Sequence, residues 1–165
     1  MKSTGITAVF LAGVLALCGP AAAGPVTVPL ATDLPAEARE AAARRVPILI
    51  LFSQPECGYC ELVKEEFLRP MIRSGEYEDK VLIRRVELGT YDTLLDFDGG
   101  EVEADEFAHR YGASLTPTVV FLDADGRPLA PNLVGVVAVD FYGGDLDARI
   151  DEARARLHAA RLSRR

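Results

Sequence analysis

Cys57 and Cys60, in the run Glu56-Cys57-Gly58-Tyr59-Cys60, are the two side chains whose type and spacing carry chemistry of their own. Two thiols three positions apart can close a disulfide and open it again, giving up or taking up two electrons. The loop such a bridge closes is so short that its chain-entropy gain is small, so stability is a poor reason for the pair and redox chemistry a better one. The preceding run, Val46 to Phe52, is apolar apart from one proline at its start, and Ser53-Gln54-Pro55 is turn-prone. Helical spacing begins beyond the second cysteine, so Cys57 opens a helix, where unpaired backbone N–H groups and the helix dipole favour thiolate. A cysteine so placed in a Cys-X-X-Cys motif has its pKa lowered from about 8.5 towards roughly 3.5–7.5, which makes Cys57 the attacking residue. Cys60, one turn later and less exposed, is the resolving residue. Gly58 lets a partner chain approach closely and Tyr59 offers a partly exposed ring, so both are expected to contact substrate. Glu56 opposes ionisation of Cys57 wherever its carboxylate points at the sulfur.

Other uses of two cysteines fit less well. A zinc site takes four ligands, there is no second cysteine pair, and His109 and His158 lie far along the chain. A c-type haem takes a histidine directly after the second cysteine, where this chain has Glu61. Thiolates suit Cu(I), but no methionine or histidine flanks the pair. No metal and no cofactor is expected, and a Cu(I)-binding module stays as the alternative from another class.

The elements that must position the pair follow from periodicity. Gly24 to Asp33 is a lead-in with a short edge strand at Val26 to Val28, and a first helix starts near Pro35 and runs through Ala36 to Arg45. Val46 to Phe52 reads as a strand buried on both faces. Glu61 to Leu68 is helical, with Leu62, Val63 and Phe67 inward, until Pro70 kinks or ends it. Val81 to Leu88 is a second strand, and Gly89 to Glu103, rich in Gly, Asp and Thr, reads as a surface connection or small insertion. A short helix from Ala104 to Tyr111 ends at Gly112, and Pro117 opens a strand from Thr118 to Leu122. Asp123-Ala124-Asp125-Gly126 is a turn, after which Arg127 to Leu129 and Leu133 to Val139 read as an antiparallel hairpin. A last helix from about Asp140 to His158 spaces Leu146, Ile150, Ala153 and Leu157 for one face. The order predicts α/β architecture, a mixed central sheet with helices on both faces.

Residues 1–23 read as an export signal: Lys2, an apolar run from Ile6 to Leu17, and the small residues Ala21-Ala22-Ala23. The run is well short of the roughly 20 residues that span a bilayer. A lipid anchor at Cys18 fits less well, because Leu17 rather than a small residue precedes it. The expected compartment is the periplasm, with residues 24–165 forming one domain. Cleavage removes one cation, Lys2, from a chain of net charge −7 and leaves −8. That acidity argues against nucleic acid as a partner.

The stretch Val46 to Cys60, VPILILFSQPECGYC, together with Leu115-Thr116-Pro117-Thr118-Val119-Val120-Phe121 and the hairpin after it, resembles the thioredoxin superfamily, its bacterial periplasmic branch more than cytosolic thioredoxin. The resemblance covers nearly all of residues 35–158. It implies a thioredoxin fold, dithiol–disulfide exchange and protein substrates. It also implies that Pro117 is cis and faces the cysteine pair, and that the Thr116 backbone pairs with an extended substrate segment as a short β-addition. Two positions depart from the pattern: thioredoxins have an aromatic residue before the first cysteine and a buried acid six residues before it, where this chain has Glu56 and Leu51. Glu87 on the neighbouring strand is expected to be a solvated strand-end carboxylate. Gly58-Tyr59 resembles the dipeptide of periplasmic disulfide isomerases, whose separate dimerisation domain has no counterpart here. The expectation is therefore a monomeric reductase supplied by a membrane thiol donor, with oxidase, isomerase or a non-enzymatic chaperone as alternatives.

Overall fold

The computed structural model describes residues 25–163, so the expected export signal and Cys18 lie outside the described residues. In chain order the elements are α1 (Leu34–Arg44), β1 (Ile48–Ser53), α2 (Gly58–Leu62), a π-helical stretch (Val63–Leu68), α3 (Arg69–Ser74), β2 (Leu82–Glu87), β3 (Thr93–Leu95), β4 (Glu101–Glu103), α4 (Ala104–Arg110), β5 (Thr118–Leu122), β6 (Pro128–Val134) and α5 (Val139–Leu162). Four strands make one mixed sheet in the order β2-β1-β5-β6. β1 runs parallel to β2 and antiparallel to β5, which in turn pairs antiparallel with β6.

Every residue of β1 is buried. Successive side chains point to opposite faces, so one run of apolar residues feeds two cores. Leu49 and Leu51 join Ile83, Val119 and Phe121 beneath the helices that begin at Gly58 and Val139. Ile48, Ile50 and Phe52 join Val86, Val120 and Leu122 against Leu34 and Ala41 of α1 and Phe107 of α4. α5 contributes Tyr142, Leu146, Ile150, Ala153 and Leu157, a stripe at helical spacing that lies on the sheet. Helices thus cover both faces, as the order of elements predicts.

Local signals account for the ends of α1. The Asp33 carboxylate accepts from the Ala36 N–H at 2.8 Å, Pro35 stands in the first turn, and Arg45 takes a left-handed conformation at φ 62. The lead-in does pair with the sheet edge, but at Pro29 to Ala31 rather than Val26 to Val28: the Ala31 N–H donates to Arg85 O and the Arg85 N–H to Pro29 O, both at 2.8 Å. The helix after the cysteines neither stops nor breaks at Pro70. The Arg69 N–H reaches back five residues to Lys64 O, and the widened turn delivers Pro70 into the first turn of α3, where its missing N–H costs little. This shift of face buries Val63 and Leu68 and leaves Leu62 and Phe67 half-buried.

Two stretches differ from the sequence reading. Gly89 to Glu103 is a folded insertion, a two-stranded hairpin in which Thr93 faces Glu103 and Leu95 faces Glu101. Leu94 is buried in the core, and Phe97 packs on Phe107 with ring centroids 6.4 Å apart. The expected hairpin of Arg127 to Leu129 with Leu133 to Val139 does not form. Pro128–Val134 is one strand paired with β5, with a register irregularity, and Gly135 at φ 66 ends it. A strand at the sheet edge tolerates Pro131, which a central strand would not.

Gly126 sits at φ 76, and a Cβ there would lie 2.7 Å from the Phe97 ring. Gly126→Ala is therefore expected to cost about 2 kcal/mol, read as a lower urea midpoint. A pH dependence follows from two tyrosines. The hydrogen bond from Tyr77 to Asp147 and its burial push its phenol up to about 12, and burial does the same to Tyr111. Both stay protonated where an unfolded tyrosine, at about 10, has ionised, so the folded chain holds more protons. Their contribution is expected to be complete below about pH 10 and to fade as the pH rises towards about 12, seen as a urea midpoint that falls across that window.

Candidate functional site

The chain leaves the sheet at Ser53 and crosses Gln54, Pro55 and Glu56, all exposed. Glu56 adopts the left-handed conformation at φ 59, unusual for a residue with a Cβ. That turn sets Cys57 as the N-cap of α2, with its C=O accepting from the Glu61 N–H at 3.1 Å. The Cys57 Sγ accepts from the Cys60 N–H at 3.1 Å, so the sulfur takes the place that a Ser or Asp oxygen takes in an ordinary helix cap. Cys57 and Cys60 are joined in a disulfide, with Cα atoms 5.2 Å apart. Cys57 is half-buried, whereas Cys60 is 0% exposed. Gly58 is exposed, and a Cβ built on it meets no atom within 4 Å, so nothing in the chain's own packing calls for glycine there. Tyr59 is 58% exposed.

The second arm starts at the same end of the sheet, because Phe52 at the end of β1 pairs with Thr118 at the start of β5. The Thr116–Pro117 peptide bond is cis. Pro117 is buried and Thr116 half-buried, and the Thr118 hydroxyl donates to Leu115 O at 2.7 Å. The Gly135 N–H donates to Pro117 O at 2.8 Å, which ties the end of β6 to this loop. Neither backbone group of Thr116 has a hydrogen-bond partner among the described residues. All six residues singled out in the sequence therefore lie on loops or a helix start leaving one end of the sheet.

Glu87 corrects an expectation. It stands beside Ser53 in the β1–β2 register, its side chain is only 16% exposed, and it accepts from the Ser53 hydroxyl at 3.0 Å. It is also ion-paired with Arg85, so it is a built-in carboxylate and not a solvated one. Leu51, where thioredoxins carry an acid, lies fully buried in the apolar cluster. Lys64, one turn after Cys60, is nearly buried and pairs with Glu61 at 2.7 Å. Among the described residues, no three His, Cys, Asp or Glu side chains converge as metal ligands.

Sequence reasoning missed the apolar side chains displayed around the pair. Tyr91, Leu115, Val137 and Phe141 are exposed, and all leave the sheet at this end. Val137 was hidden inside a run that looks like a strand, and Phe141 stands next to Tyr142, the neighbour that does face the core.

The thioredoxin-like domain family matches residues 34–142. No curated protein matches the sequence. Among solved structures, thioredoxin f from spinach chloroplast, in its short form, is 18% identical, with a TM-score of 0.48 over 78% of this chain and 96% of that one. The oxidoreductase DsbH is 16% identical, TM-score 0.49, over 86% and 95%. The C-terminal domain of Neisseria meningitidis DsbD in its oxidised form is 17% identical, TM-score 0.49, over 73% and 98%. At such identities the likeness is one of fold alone.

Burial separates the two thiols once the bridge is reduced. A brief pulse of iodoacetamide is expected to put one adduct on Cys57 and leave Cys60 unmodified by peptide mass spectrometry; equal labelling would remove the distinction between them.

Proposed function

This chain belongs to the thioredoxin-like domain family, and on that footing we propose that it is a thiol-disulfide oxidoreductase that reduces protein disulfides through Cys57 and Cys60. The observation that carries the reading is the pairing of a half-exposed sulfur at a helix N-cap with a wholly buried partner one turn on. The Cys60 N–H and the helix N-terminus stabilise a Cys57 thiolate. That thiolate attacks one sulfur of a client disulfide; the client S–S bond breaks, its second sulfur leaves as a thiolate, and a mixed disulfide forms at Cys57. The Cys60 thiolate then attacks the Cys57 sulfur, releasing the client's first thiolate and closing the Cys57–Cys60 bridge. Two electrons pass to the client, and its two thiolates take their protons from solvent. A second dithiol, proposed to be a membrane thiol donor, returns the oxidised protein to its working form.

Gly58 and Tyr59 lie against the client on one side. The unpartnered Thr116 backbone pairs with it on the other, and Pro117 fixes that loop. The protein works in the periplasm as a monomer, exported by residues 1–23.

The charges around Cys57 favour reduction over oxidation. Residues 54–63 contain Glu56 and Glu61 and no Lys, Arg or His. Without a cationic neighbour the thiolate is less stabilised, and a less stabilised reduced form makes a better reductant. The equilibrium potential of the pair against glutathione buffers is expected near the thioredoxin value of about −270 mV; a value near about −120 mV would reverse the direction. Insulin-disulfide reduction is expected to survive a chelator and to vanish in Cys57→Ser. Glu56→Gln is expected to lower the pH midpoint of Cys57 alkylation and to make the potential less negative; an unchanged midpoint would release Glu56 from any part in this tuning.

A further inference from the structure

We infer that the end of the molecule around the disulfide selects client segments that are both apolar and positively charged next to their cysteine, through Val137, Phe141 and Tyr91 together with Glu56, Asp92 and Asp140. The inference rests on the disulfide-exchange reading and names the class of client.

The apolar part is built by the backbone. Gly135 turns left-handed and bonds to Pro117 O, and Val137 follows two residues later, within about 7 Å of chain from that bond. It is 98% exposed. α5 then begins, and its first turns split two adjacent aromatic residues: Tyr142 packs on Phe67 with centroids 5.1 Å apart, whereas Phe141 is 72% exposed. On the opposite flank, the Leu88 N–H donates to Ser53 O at 2.7 Å, so the loop after β2 stands beside the strand that leads to Cys57. That loop displays Tyr91, 90% exposed, at φ 57. A single exposed apolar side chain is ordinary, but several at one end of a molecule suit a binding surface. Here they stand on segments that leave the same end of the sheet as the reactive pair, after β2 on one side and after β6 on the other.

The charge is one-sided. The segments 54–63, 88–95, 112–118 and 134–148, which form this end, contain no Lys, Arg or His. Glu61 and Asp147 have partners in Lys64 and Tyr77, which leaves Glu56, Asp92, Asp140 and Asp145 as carboxylates without a cation beside them. A client with lysine or arginine near its cysteine is attracted, an acidic one is repelled. A second copy of this chain is a poor occupant, because it carries the same net negative charge. An anionic lipid surface is repelled for the same reason.

The test uses Cys60→Ser protein, in which the mixed disulfide persists, and short peptides carrying one cysteine as a thionitrobenzoate disulfide. The Cys57 thiolate attacks the peptide sulfur and thionitrobenzoate leaves, so its absorbance gives the rate. A peptide with leucine and lysine around the cysteine is expected to react about tenfold faster, relative to glutathione disulfide, than one with leucine and aspartate or one with serine and lysine. High salt should close the gap to the aspartate peptide. Val137→Ser/Phe141→Ser should close the gap to the serine peptide, and Asp140→Lys should narrow the first gap without touching the second. Equal rates for the three peptides overturn the inference while leaving exchange intact, provided glutathione disulfide still reacts. Loss of reaction with glutathione disulfide as well overturns both readings. A dimer in sedimentation that Val137→Ser/Phe141→Ser dissolves would reassign the surface to self-association.

Discussion

Everything in the molecule depends on β1 being buried on both faces. A strand with no exposed residue leaves its two faces to be covered from elsewhere in the chain, and six apolar or small positions in a row dictate a helix layer on each side. The helix on one side starts at the cysteine pair, because the strand's far end has nowhere to go but a tight turn into that layer. Strand, turn and helix cap are thus one device: the strand fixes where Ser53 ends, the left-handed Glu56 reverses the chain, and the cap presents the sulfur. Fixing φ > 0 at a glutamate costs about 1–2 kcal/mol, a strain that the fully packed strand behind it can support.

The chemistry of the site divides along the same line. Cys57 gains a donor from the helix it caps, and Cys60 lies in the apolar layer, so two thiols three residues apart occupy different media. The surroundings contain acids but almost no free cation, and the one nearby ammonium, on Lys64, is engaged by Glu61. Where thioredoxins bury an acid, the apolar Leu51 completes the core, and the nearest strand carboxylate, Glu87, is taken up by Ser53 and Arg85.

How much of this was legible follows from the range over which each signal acts. β1, β5 and the stripe of α5 were readable because burial imposes a period on neighbouring residues, and Cys57 with Cys60 because both sit in one helical turn. The Thr116–Pro117 loop carries no such period; only the family resemblance gave it a part and a cis bond. The hairpin of β3 and β4 was opaque because its anchors, Leu94 and Phe97, sit in a short stretch broken up by acids, and Phe97 finds its neighbours, Phe107 and Gly126, farther along the sequence. Leu133 to Val139 misled for the opposite reason: an apolar run reads as a strand, yet a single left-handed glycine ends the ladder, after which Val136 packs on the core while Val137 and Val139 are exposed.

The outer edges of the sheet have a consequence for how the chain meets other chains. An unpaired strand edge is a template on which any extended polypeptide can assemble. Here the edge of β2 is occupied by Pro29 to Ala31, and the opposite edge strand, β6, carries Pro128 and Pro131, which lack N–H groups. Both rims are therefore poor templates for aggregation. The unpaired peptide group at Thr116 lies at the end of the sheet and not along a rim, so the open backbone at the cysteine end is set apart from both rims.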